Sequence, residues 1–134
     1  MKLLKNIFLV YIAIKLLFYL MFPSIIVMLF LSFFKRRVNN GVDSVSSYLY
    51  KVALSIDQLG NVVMSELLNI TLIKKGGYKF GNPDETISGV IGKNYLKESL
   101  SPVGRILDNI LNLFEKDHSI NAIEGDEYSN KSKK

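Results

Sequence analysis

Asp57, Gln58, Asn61, Asp84, Glu85, Thr86, Ser88 and His118 are the residues of this chain whose types and grouping can do chemistry. Carboxylates joined by an imidazole suit a divalent cation, which would polarise a bound water for hydrolysis. If a metal binds, its ligands are Asp57, Asp84, Glu85 and His118. The spacing does not compel this reading. The sequence holds no H-E-x-x-H, P-loop or G-x-S-x-G string. Ser88, His118 and Asp57 can be written as a triad, but any small protein offers such triples.

Each of these residues also has an architectural use. Asn82 fits a helix N-cap, Pro83 the first helical position, and Glu85 the third residue of a capping box. Asp84 favours the positive end of the same helix. Asp57 and Asn61 lie one helical turn apart and can bond to a loop or to another helix end. His118 follows a helix whose C-terminal dipole favours a cation. No catalytic residue is assigned on this basis, and enzymatic activity stays open.

The elements that would position these groups follow from the pattern of apolar residues. From Tyr48, the positions Val52, Ile56, Leu59, Val63 and Leu67 recur at steps of three or four, giving one apolar helix face to about Asn69. Ile70 to Gly81 reads as a short hairpin or structured loop around Gly76 and Gly77. A helix starts at Asn82-Pro83, and Ser101-Pro102 repeats the start signal. Val103, Ile106, Leu107, Ile110, Leu111 and Phe114 then mark an amphipathic helix to about Lys116.

Ahead of this small domain stands Leu16 to Phe34, a run without a charged residue, followed by Lys35, Arg36 and Arg37. It predicts a membrane span of about 30 Å, with no cleavage pattern of the A-x-A kind after it. Lys15 and Pro23 interrupt the wider apolar stretch. It can be one span with Lys15 at the interface, a tilted and kinked helix, or a hairpin turning at Pro23; the single span is preferred. The basic residues after the span place the C-terminal domain in the cytoplasm.

The chain has 134 residues, no cysteine and a formal net charge of +5. A disulfide scaffold and thiolate metal sites are therefore excluded. The positive charge gathers near the two ends, away from any basic face such as nucleic-acid binding requires. Lys74, Lys75 and Lys79 can meet lipid headgroups or solvent.

The strings Asp57-Gln58-x-x-Asn61 and Gly81-x-Pro83-Asp84-Glu85-Thr86-Ile87-Ser88, with Asp117-His118 later, resemble a group of small phage and prophage proteins sharing D-Q-x-x-N … G-x-P-D-E-T-[IL]-S … H. The resemblance covers residues 55–120 and implies a viral or prophage origin. Where many of those proteins carry Arg after the Ser and Cys after the His, this chain has Gly89, Val90 and Ser119, so no activity needing either residue is implied.

The expectation is an all-α chain with a single N-terminal transmembrane helix and a small domain of about three helices carrying a loop or hairpin insertion. Residues 1–37 are the anchor (span 16–34), 38–47 a linker, 48–124 the helical domain and 125–134 a disordered tail. The leading function is a non-enzymatic, membrane-anchored phage protein at the bacterial inner membrane. Its partners are membrane lipid and either another protein or itself. The alternatives are a holin-like lysis protein and a small metal-dependent hydrolase or nuclease. No cofactor is required; a divalent metal belongs only to the last alternative.

Overall fold

The computed structural model describes residues 2–35 and 41–123, all helical apart from turns and loops. In order these are α1 (Lys2–Lys35), α2 (Gly41–Val63), α3 (Ser65–Thr71), α4 (Ile87–Leu96), α5 (Pro102–Phe114) and α6, a short helix over 118–123. The only β-type pairing among the described residues is an isolated antiparallel bridge, Ile73 with Leu100. The chain divides into two compact units, Met1–Tyr50 and Lys51–Lys134.

α1 is one uninterrupted helix of 34 residues with Pro23 inside it. Among the described residues its large apolar side chains are exposed apart from Met28, which is partly covered. The stretch Lys2–Ser32 is long and apolar enough to cross a membrane, with mean hydropathy 2.3 and none of the scored window buried. The turn at Pro23 does not occur: the helix runs through it. Lys15 folds back with its ammonium 4.8 Å from the centre of the Tyr11 ring. At ~1.5 Å per residue the helix is roughly 50 Å long, well beyond a perpendicular crossing of the hydrocarbon core. Of the basic run after it, Arg36 and Arg37 lie outside the described residues, as does the tail 125–134.

α2 already includes residues 41–47, which the sequence suggests as linker. The helix does not bury its apolar face. Ile56, Leu59, Val63 and, on α3, Leu67 are well exposed, and Val52 is more than a third exposed. Asn61 is fully buried, while Asp57 and Gln58 are half-buried. The apolar face thus points away from the core and the polar face points into it. The reason is hydrogen bonding: the loop that α2 packs on offers unpaired backbone groups, which apolar side chains cannot satisfy.

The core is small: Leu72, Ile73, Phe80, Val90, Ile91 and Leu100, with Leu68, Tyr78, Ile87, Leu107 and Leu111 packed against it. α4 and α5 form its main helix pair. The expected apolar face of α5 is split, since Leu107 and Leu111 reach the core but Val103, Ile106, Ile110 and Phe114 stay exposed. Two close approaches fix this arrangement. A Cβ at Gly104 would overlap the Leu72 carbonyl oxygen, and one at Gly92 would overlap the Ser119 carbonyl oxygen. Only glycine leaves room there for backbone against helix.

The start at Ser101-Pro102 forms as its sequence suggests. Ser101 Oγ accepts from Gly104 N at 3.0 Å and also donates to Thr71 O at 2.6 Å, tying α5 to the end of α3. The start at Asn82-Pro83 does not form. α4 begins four residues later, with Thr86 as N-cap accepting from Gly89 N at 2.9 Å. Residues 82–85 make a separate turn instead, closed by Glu85 N to Asn82 O at 3.1 Å. No strand forms at Ile70–Gly81; Thr71 ends α3 and residues 72–86 run as a connection.

Candidate functional site

The site is built on α2, whose inward polar face meets the turn that precedes α4. Asp57 Oδ1 accepts from the backbone of Ile87 at 3.2 Å, and Asp57 Oδ2 accepts from Ser88 Oγ at 3.1 Å and Ser88 N at 3.5 Å. One carboxylate thereby serves orphan amides at the start of another helix, where negative charge is also favoured by the dipole. One turn on, Asn61 Nδ2 donates to Glu85 O at 2.7 Å and Asn82 O at 3.0 Å, and Asn61 Oδ1 accepts from Gly81 N at 2.9 Å. The spacing Asp57-x-x-x-Asn61 puts both on one face, so the two act along the same segment.

Two further asparagines repeat the device. Asn69 accepts from Phe80 N at 2.9 Å and donates to Phe80 O at 3.3 Å. Asn94, fully buried on α4, accepts from Tyr78 N and donates to Tyr78 O, both at 2.8 Å. A carboxamide carries a donor and an acceptor side by side, as a peptide group does, so each asparagine replaces a missing strand partner. This is how the backbone of residues 78–82 is satisfied, with Phe80 buried, without a sheet. Ser99 completes the network by donating to Asn94 Oδ1 at 2.6 Å.

Glu85 lies at the centre of a charged cluster. Its Oε1 accepts from Tyr78 OH at 2.8 Å and pairs with Lys93 Nζ at 2.9 Å. Lys93 and Lys97 also stand 4.9 and 5.3 Å from the Tyr78 ring centre. Burial and the neighbouring Glu85 push the Tyr78 phenol above its usual range, only partly offset by Lys93. Glu85 Oε2 is buried and accepts no hydrogen bond among the described residues.

A second polar pair sits between α5 and α6. Asp108 is buried and accepts from Ser119 Oγ at 2.5 Å and from Asn112 Nδ2 at 3.4 Å. Asn112 Oδ1 in turn accepts from His118 N at 3.1 Å. His118 Nδ1 pairs with Glu115 Oε2 at 3.0 Å, and this contact holds the exposed Glu115 carboxyl below its usual range.

The eight sequence-singled residues therefore fall into two groups. Asp57, Asn61, Glu85, Thr86 and Ser88 come together around the turn before α4, with Gln58 half-buried beside Asp57. Asp84 is exposed on the same turn, its amide donating to Asn82 Oδ1 at 3.2 Å. His118 belongs to the α5–α6 connection and joins Glu115, not this group. No three His, Asp or Glu side chains converge as a metal-binding set among the described residues. Asn69, Tyr78, Lys93, Asn94, Asp108 and Ser119 are absent from the sequence-level set. Their roles depend on which backbone groups go unpaired, and spacing alone carries no such signal.

Against protein-family models, curated proteins and solved structures the chain finds no match.

Proposed function

We propose that this is a membrane-anchored interaction protein of phage or prophage origin, non-enzymatic, attached by α1 to the bacterial inner membrane with its C-terminal domain in the cytoplasm. The observation that carries the reading is α1 itself, whose stretch Lys2–Ser32 is long and apolar enough to cross a membrane, with none of the scored window buried. Such a helix is stable in hydrocarbon and costly in water. The positive residues after it support the orientation. The viral origin rests on the strings Asp57-Gln58-x-x-Asn61 and Pro83-Asp84-Glu85-Thr86-Ile87-Ser88.

The non-enzymatic part is supported by where the polar groups spend their hydrogen bonds. Asp57 and Asn61 are occupied by backbone of residues 81–88, and Thr86 by its own helix start. Groups used to close the fold are not free to transfer protons to a substrate.

The test is fractionation of the full chain expressed in bacteria. The wild type is expected in the membrane fraction after alkaline carbonate washing, with its N-terminus intact. Leu20→Arg combined with Ile26→Arg is expected to move it to the soluble fraction. Recovery of wild type in the soluble fraction, or loss of α1 by cleavage, contradicts the reading.

A further inference from the structure

We infer that the cleft between α4 and α5 binds a free apolar amino acid, holding its carboxylate and its ammonium at two separate points. The inference goes beyond the anchored reading and does not depend on it, because the cleft lies wholly within Lys51–Lys134.

The cleft has a volume of about 560 Å³, within the range of small-molecule sites. Its apolar lining is Tyr95 and Leu96 from the end of α4 and the buried Leu100 from the connection to α5. Opposite charges line the same space, Glu98 on the connection and Arg105 on α5. They do not pair with each other. Neither side chain makes an ion pair or a hydrogen bond among the described residues.

That unpaired couple selects the ligand class. Arg105, Asp108 and Asn109 stand three and four apart, on one face of α5. The Arg105 guanidinium offers a planar fork to a carboxylate, and the exposed Asn109 carboxamide offers a further donor beside it. Asp108 has both oxygens bonded, to Ser119 and Asn112, which leaves Glu98 as the carboxylate open to an ammonium. A simple anion would meet the carboxylates of the cleft, and a simple cation would meet Arg105. An α-amino acid carries both charges on one carbon and turns its side chain to the apolar lining.

The backbone at Glu98 supports this use. The residue follows the C-cap of α4 with φ 53°, a left-handed conformation in which glycine is the usual residue. It is held there by its amide donating to Tyr95 O and by Lys74 Nζ donating to its carbonyl, both at 3.0 Å. A charged side chain is thus carried where backbone geometry alone favours none.

The test is titration of the full chain in detergent with L-leucine and L-phenylalanine, followed by calorimetry and thermal melting. L-leucinamide, which lacks the carboxylate, and 4-methylpentanoate, which lacks the ammonium, serve as comparisons. One saturable site is expected for the amino acids, with affinity about tenfold lower for both analogues. Arg105→Gln is expected to weaken leucine binding by about tenfold and to leave leucinamide nearly unchanged. Glu98→Gly is expected to raise the melting temperature, since glycine suits the left-handed position, and yet to weaken leucine binding by about tenfold. Lys79→Gln, outside the cleft, is expected to bind as wild type does. Amide exchange at Val90 and Ile91 confirms the fold of each variant. No saturable heat or melting shift with either amino acid at millimolar concentration overturns the inference. Equal binding of leucine and its analogues, or unchanged binding in Arg105→Gln and Glu98→Gly, overturns it as well.

Discussion

Asp57 on α2 caps the start of α4 through the amide of Ile87, thirty residues away, at 3.2 Å. The contact makes the polar side of α2 its inner side. It explains why the apolar stripe of the same helix is left outside. Asp57→Ala removes a carboxylate acceptor shared by Ile87 and Ser88, and is expected to cost about 1–2 kcal/mol in unfolding experiments. Asp57→Asn keeps an acceptor and is expected to recover part of this. Equal loss in both variants would show that charge, not acceptance, matters there.

Asn61 tests the loop clamp. Asn61→Asp retains acceptance from Gly81 N but sets a carboxylate against the carbonyl oxygens of Asn82 and Glu85. It is expected to destabilise more than Asn61→Ala, which itself costs about 3 kcal/mol through unpaired buried groups. Denaturant midpoints at constant slope give the comparison, and an Asn61→Asp chain as stable as wild type would remove the clamp from the account.

Gly104→Ala is expected to disrupt the seating of α5 on the end of α3, because the added methyl overlaps the Leu72 carbonyl oxygen. Overpacking against backbone costs at least about 1–3 kcal/mol. Val103→Ala, on the exposed side of the same helix, is expected to change the melting temperature little.

Tyr78 gives the fold an alkaline limit. Its phenol ionises above the ordinary 10.0 in the folded chain because burial and Glu85 disfavour the phenolate. Its contribution is complete below pH 10 and is lost as pH rises through the raised value, since the unfolded chain releases its proton first. Spectrophotometric titration is expected to show one tyrosine ionising late, and Tyr78→Phe to remove that step. An unchanged titration in Tyr78→Phe would place the late tyrosine elsewhere.

The class of the fold was readable because it depends on local pattern. The apolar length of α1, the Ser101-Pro102 start and the helical period of α2 and α5 are properties of neighbouring residues. Direction was not readable. Periodicity gives a helix's apolar face but says nothing of which face meets the core, and at α2 the loop's unpaired amides outweigh the apolar stripe. The start at Asn82-Pro83 misleads for a related reason. Asn61, twenty-one residues earlier, holds Asn82 O and keeps the turn separate from α4. Within the candidate site, Asp57, Asn61 and Ser88 were legible as a polar group, whereas the Glu85, Tyr78 and Lys93 cluster needs the fold to exist.

The measurement that bears most directly on the account is amide exchange at Val90 and Ile91 in the full chain, solubilised in detergent at a dilution where copies separate. Asn61→Ala is compared with Ile56→Ser. Protection is expected to fall by about a hundredfold in Asn61→Ala, the equivalent of ~3 kcal/mol, and to stay near wild type in Ile56→Ser. Loss of protection in Ile56→Ser with little change in Asn61→Ala would mean that the apolar face of α2 points inward, and would contradict it.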